Sequence, residues 1–129
     1  MVSVVPIEKL ADVWPEVQPW LERAISHGQG DENIWDVFVA LARGAYTLWH
    51  SPTRFAAVVQ TIRQPRQSVA TILYCGGRGL SEIEEAFAFG KLWARENGVN
   101  VIRVWGREGW ERILGMERMG VILQVRVTP

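Results

Sequence analysis

Val101-Ile102-Arg103-Val104-Trp105-Gly106-Arg107-Glu108-Gly109-Trp110-Glu111-Arg112-Ile113-Leu114 runs an apolar strand pattern straight into a glycine-framed turn and then into a short helix. Val99 to Trp105 reads as a buried strand, and Gly109 to about Leu114 as the helix. Immediately upstream, Leu80 to Asn97 has a helical stripe: Leu80, Ile83, Phe87, Gly90 and Ala94 fall together beside Ala86, Phe89 and Trp93, with Glu82, Glu85, Lys91, Arg95 and Glu96 opposite. Ser81-Glu82-Ile83-Glu84 has capping-box spacing, and Asn97-Gly98 supplies a left-handed stop. Further upstream, Val69 to Cys75 is apolar on both faces, with Val69, Leu73 and Cys75 on one side and Ala70, Ile72 and Tyr74 on the other. That pattern belongs in the middle of a sheet. The three segments form a strand-helix-strand unit, which predicts parallel neighbours joined by a right-handed crossover.

The rest of the chain builds outward from this unit. Tyr46 to His50 and Phe55 to Ile62 are extended, and the turns Ser51-Pro52-Thr53 and Gln64-Pro65-Arg66 join them into hairpins ending at Val69. Val2, Val4 and Val5 make a short first strand closed by Pro6. Two helical pieces follow, Ile7 to Val13 and Pro15 to about His27, because an interior proline removes a donor and clashes with the preceding turn. A further helix carries Ile34, Trp35, Phe38, Val39, Leu41 and Ala42, capped by Asp31 or Asn33 and stopped at Gly44. Val121, Leu123, Val125 and Val127 alternate with Gln124 and Arg126, so Val121 to Val127 is expected to be a last, half-exposed strand.

This order, β-α-α-β-β-β-α-β-α-β over a single domain 1–129, resembles the GNAT (GCN5-related N-acetyltransferase) fold along nearly its whole length. The resemblance implies an α+β (α/β) architecture with a mixed, mainly antiparallel sheet of about six strands and helices on both faces. More narrowly, "WGREGWERIL" looks like the Gly-Arg-x-Gly-Trp element of small GNAT-like proteins of tailed phages and prophages. Two functions follow from the resemblance. One is an acyl-CoA-dependent N-acetyltransferase using acetyl-CoA on an unidentified acceptor. The other is a non-catalytic GNAT-like module in virion assembly or in contact with a host protein.

GNAT enzymes hold the coenzyme pyrophosphate on backbone amides between the fourth strand and the third helix, through Gln/Arg-x-x-Gly-x-Gly/Ala. Such a turn is an anion site because free N–H groups and the helix dipole face the ligand. Here the turn is Tyr74-Cys75-Gly76-Gly77-Arg78-Gly79: Gly77 and Gly79 fall on the motif glycines, while Tyr74 stands where Gln or Arg is expected. The alternative is that Gly76-Gly77 only turns the chain sharply. No tyrosine follows Tyr74, so the leaving-group acid that many family members carry on the fourth helix is unassigned. His50, Arg107 and Trp110 are candidates for lining the cleft; the competing readings are a surface histidine, an arginine paired with Glu108 or Glu111, and a tryptophan that plugs the core.

Composition narrows the remaining options. Fourteen basic residues balance fourteen acidic ones, which speaks against nucleic acid and anionic membranes as partners. Cys75 is the only cysteine, so neither an internal disulfide nor a cysteine-based zinc site is expected, and His27 and His50 lack metal-pair spacing. The N-terminus lacks signal-peptide features and no run approaches 18 apolar residues. These features predict a soluble intracellular protein, which the resemblance to phage proteins would place in the host cytoplasm or with the virion. Trp14, Trp20, Trp35 and Trp49 lie mostly at core spacing; any that is exposed would mark a homo-oligomer or partner surface.

Overall fold

A computed structural model describes residues 1–28, 30–79, 81–105, 112 and 114–127, with only the backbone of Ser81 and Glu82. The elements are β1 (Ser3–Val4), a 3-10 turn (Ile7–Lys9), α1 (Leu10–Ser26), α2 (Ile34–Ala42), β2 (Thr47–Ser51), β3 (Phe55–Arg63), β4 (Ser68–Gly77), α3 (Ser81–Glu96) and β5 (Val101–Val104). They form one mixed sheet in the order β1-β2-β3-β4-β5, antiparallel up to β4 and parallel between β4 and β5. The expected strand-helix-strand unit is therefore present, with α3 as the crossover.

Each sheet face carries its own core. On one side α1 and α2 bury Leu10, Trp14, Val17, Leu21, Ile34, Val37 and Leu41 against Leu48, Ala56 and Val58. On the other, α3 brings Ala86, Phe87 and Ala94 onto Trp49, Phe55, Ala57, Val59, Ala70 and Ile72. The centre of that second face is Trp49, fully buried, with Phe89 and Trp93 both edge-on at 5.3 Å. Gly90 lets α3 approach so closely that a Cβ there would lie 2.9 Å from the indole ring.

α1 is one helix, not the two pieces expected from Pro15. Pro15 and Pro19 both lie inside it. They fall four residues apart on its exposed face, so the carbonyls left without donors, at Ala11 and Pro15, lie on the solvent side while Leu10, Trp14, Val17 and Leu21 stay packed. α2 begins with a full capping box, in which Asn33 accepts from the Asp36 amide and Asp36 accepts from the Asn33 amide, both at 2.9 Å.

Two further expectations are corrected. First, the described sheet has five strands, not six: residues 121–127 are not in a strand, and Val121, Leu123, Val125 and Val127 are 76–92% exposed. Alternation alone makes a strand only where a partner edge is engaged, and β5 pairs only with β4 among the described residues. The short helix expected from Gly109 to Leu114 falls mainly on residues outside those described. Second, β4 does not alternate strictly. Val58 faces Tyr74 while Val59 faces Ile72, so Leu73 is an extra residue, a β-bulge. The bulge puts consecutive Leu73 and Tyr74 on the α1/α2 face and returns Cys75 to the α3 face with Ala70 and Ile72. Leu73 thus does not pack with Phe87, Trp93 and Ile102.

Candidate functional site

The bulge and the end of the parallel ladder coincide. β4 and β5 pair from Val69↔Val101 to Ile72↔Val104, after which β4 continues for five residues to Gly77 and β5 gives way to Trp105, 62% exposed. The two strands therefore stop pairing at the point where the bulge reorients β4. Among the described residues, no strand pairs with the β5-side edge of β4 beyond Ile72.

At the end of β4, the four glycine-turn residues are not equivalent. A Cβ on Gly76 would lie 2.5 Å from the Trp20 carbonyl oxygen in α1, and one on Gly77 would lie 2.3 Å from the Arg54 carbonyl oxygen. Both glycines are required by packing of β4 against its neighbours. Gly79 is the reverse: a Cβ there would meet nothing within 4 Å. The Arg78 amide donates to the Arg54 carbonyl at 3.0 Å, so that N–H is engaged while the side chain is exposed. Of the turn residues, Gly79 is therefore the one beside which the backbone is open to a ligand. Arg54 also ties down the acid in the first turns of α3, pairing with Glu85 at 2.7 Å.

On the α1/α2 side of β4 lies a cluster that sequence reading missed. The Tyr74 hydroxyl donates to Glu32 Oε1 and the Tyr46 hydroxyl to Glu32 Oε2, each at 2.7 Å. Glu32 belongs to the segment between α1 and α2, Tyr46 precedes β2, and Tyr74 is the residue next to the bulge. Burial, then the Glu32 hydrogen bond, push the Tyr46 phenol up to about 12 and raise that of Tyr74 as well. A tyrosine already committed to a carboxylate and made less acidic is a poor proton donor to a leaving thiolate. Nothing in the sequence links positions 32, 46 and 74; only the fold brings them together.

His50 lies elsewhere. It sits on β2, two strands from β4, is 6% exposed, and its Nε2 is 2.6 Å from Glu16 Oε1 on α1. The same carboxylate oxygen accepts the Thr53 amide at 3.1 Å. Thr53 is the one non-glycine among the described residues with positive φ, 64°, at the third position of the Ser51-Pro52-Thr53-Arg54 turn closed by an Arg54 N–H to Ser51 carbonyl bond. A β-branched residue in that conformation is strained by about 1–3 kcal/mol, and Glu16 holds it there. The Thr53 amide first, then His50, and more weakly Arg78 keep the Glu16 carboxyl below its ordinary value of 4.5, against the opposing effect of burial. A lowered acid pKa adds stability that is present above the unfolded value and lost as pH falls through the folded one. The melting temperature is therefore expected to drop on acidification below about pH 4.5, and Glu16→Gln should flatten that part of the profile. An unchanged profile in the variant, followed by circular dichroism, would contradict the assignment.

Arg107 and Trp110 lie outside the described residues. Among the described residues no group of three or more His, Cys, Asp or Glu could hold a metal ion, and no helix is long and apolar enough to cross a membrane.

No protein-family model and no curated protein matches the sequence. Solved structures do match the fold. A probable acetyltransferase superposes over 100% of this chain and 99% of its own, with a TM-score of 0.69 at 9% identity. An aminoglycoside acetyltransferase from an uncultured soil metagenomic sample, solved with sisomicin, covers 100% of this chain and 94% of its own, with a TM-score of 0.67 at 7% identity. The ribosomal-protein-alanine N-acetyltransferase of Brucella melitensis biovar Abortus 2308 covers 100% and 99%, with a TM-score of 0.65 at 8% identity. At such identities the likeness speaks to architecture, and the chain has the α+β GNAT fold of these acetyltransferases.

Proposed function

We propose that this protein is an acyl-CoA-dependent N-acetyltransferase whose coenzyme lies in the split between β4 and β5. The observation that carries the reading is the coincidence of the Leu73 bulge with the last parallel pair, Ile72↔Val104, at the strand that leads into the glycine turn. Acetyl-CoA would supply a thioester-activated acetyl group. Gly79 and the first amides of α3 hold the diphosphate, with Arg78 as its counter-charge. Glu32, fixed by Tyr46 and Tyr74, presents a carboxylate beside the bulge, where it can orient the amine of an acceptor. The acceptor itself is unidentified.

A second reading, a non-catalytic module in virion assembly or host contact, is favoured by one observation. Both tyrosines of the chain are bonded to Glu32, so neither is placed to serve as the leaving-group acid. The phage or prophage source rests on the resemblance of the Trp105–Leu114 stretch.

Thermal unfolding with and without acetyl-CoA separates the two. Coenzyme at a hundred times its dissociation constant should add about 2.7 kcal/mol. Gly79→Val should keep the unliganded melting temperature, since its side chain enters open space, and lose the shift, since it blocks the close backbone approach proposed for the diphosphate. Absence of any shift in the wild type removes the enzyme reading.

A further inference from the structure

We propose that α2 is the centre of a two-fold interface, in which the helix packs antiparallel about Val39 on its own copy in a second chain. Of its nine residues only Asp36 is polar, a composition suited to a helix covered all round. The inner side is covered: Ile34, Val37 and Leu41 are buried in the core shared with α1 and the sheet. The outer side is not, with Trp35 61% and Val39 49% exposed. At about 100° per residue, Val39 lies in the middle of that outer stripe, flanked by Trp35 and Ala42 on one side and by Asp36 and Arg43 on the other.

The outer stripe is complementary to itself. A two-fold axis at Val39 sets Trp35 opposite Arg43 of the partner subunit, and Asp36 next to that same arginine, so the acid in the first turn of one helix meets the base that ends the other. A parallel arrangement would instead set Asp36 against its own copy. Trp35 lies over the guanidinium, whose charge is attracted to the face of the indole. Beyond Arg43 the surface falls into an apolar depression of about 270 Å³, bordered by Val4, Ile7, Leu41 and Gly44. Gly44 keeps that hollow open, since a Cβ there would meet only Ile7, at 3.5 Å, and the far edge of the indole is received in it. The exposed parts of Trp35, Val39, Ile7 and Val4 amount to roughly 400 Å² per copy, most of the apolar share of a standard interface.

Sedimentation velocity over a dilution series tests this, with circular dichroism as the check on folding. Wild type should sediment as two chains at the upper concentrations. Val39→Glu brings two carboxylates together on the axis and should raise the dissociation constant by more than about tenfold. It should stay folded, because the position is exposed and glutamate is the better helix former. Arg43→Glu, which sets an acid beside Asp36 of the partner subunit, should weaken the dimer by about threefold or more. A wild type that remains monomeric at the highest concentration would overturn the proposal. So would a dimer unchanged in Val39→Glu, because the contact would then lie on another surface, and one unchanged in Arg43→Glu, because the helices would then not run antiparallel.

Discussion

Gly77→Val is expected to unfold the protein rather than only to block a ligand. The valine Cβ would stand 2.3 Å from the Arg54 carbonyl oxygen and 2.7 Å from the Phe55 Cα. These are backbone atoms in the strand paired directly opposite, where Phe55 faces Gly77, so no rotamer change can relieve the overlap. The neighbouring Arg78 N–H to Arg54 carbonyl bond would be forced apart with it. Together these place the loss above about 4 kcal/mol, at the exceptional end for one substitution and comparable with the whole stability of many domains. Urea denaturation measures it. A loss under about 1 kcal/mol would mean that the close approach of β3 and β4 at this point is wrong. Gly79→Val serves as the internal control, two residues away and expected to be nearly neutral.

Phe87→Ala should cost about 3–5 kcal/mol, the usual range for emptying a large aromatic site in a core. Phe87 is 7% exposed and belongs to the cluster that joins α3 to Trp49, Ala70 and Ile72. The helix has little room to collapse into the vacancy, because Gly90 already brings its backbone into contact with Trp49. Leu92→Ala on the same helix is the contrast: that side chain is 58% exposed and should change stability by less than about 0.5 kcal/mol. Equal losses at the two positions would show that the buried face of α3 is misassigned.

The parts of the fold that were legible in the sequence are those fixed by local rules. The stripe of α3, the capping residues of α2 and the two hairpin turns each depend on residues within a few positions of one another. The parallel pairing of β4 with β5 followed because a strand-helix-strand unit has essentially one hand. The β4 bulge was not legible: Leu73 is apolar like its neighbours, and its extra position exists only relative to Val58 and Val59 across the ladder. The continuity of α1 through Pro15 and Pro19 was missed because tertiary burial of Trp14, Val17 and Leu21 outweighs two missing hydrogen bonds on the exposed face.

The site was legible in outline only. The turn after β4 is visible in the sequence, yet its glycines divide by packing: Gly77 is spoken for by β3, and Gly79 is the open position. Tyr74, which looked like a mismatch in that motif, has a role of its own through Glu32 and Tyr46. His50, a candidate for the cleft, holds α1 to the β2–β3 turn through Glu16.

The central claim is that an acyl-CoA binds where β4 and β5 separate. Titrating acetyl-CoA into isotopically labelled protein and following the backbone amide resonances tests it directly. Shifts concentrated at Leu73 to Gly79, the first turn of α3, and Val104 to Trp105 are the predicted result. No shift at millimolar coenzyme, or shifts confined to surfaces away from those residues, would contradict it.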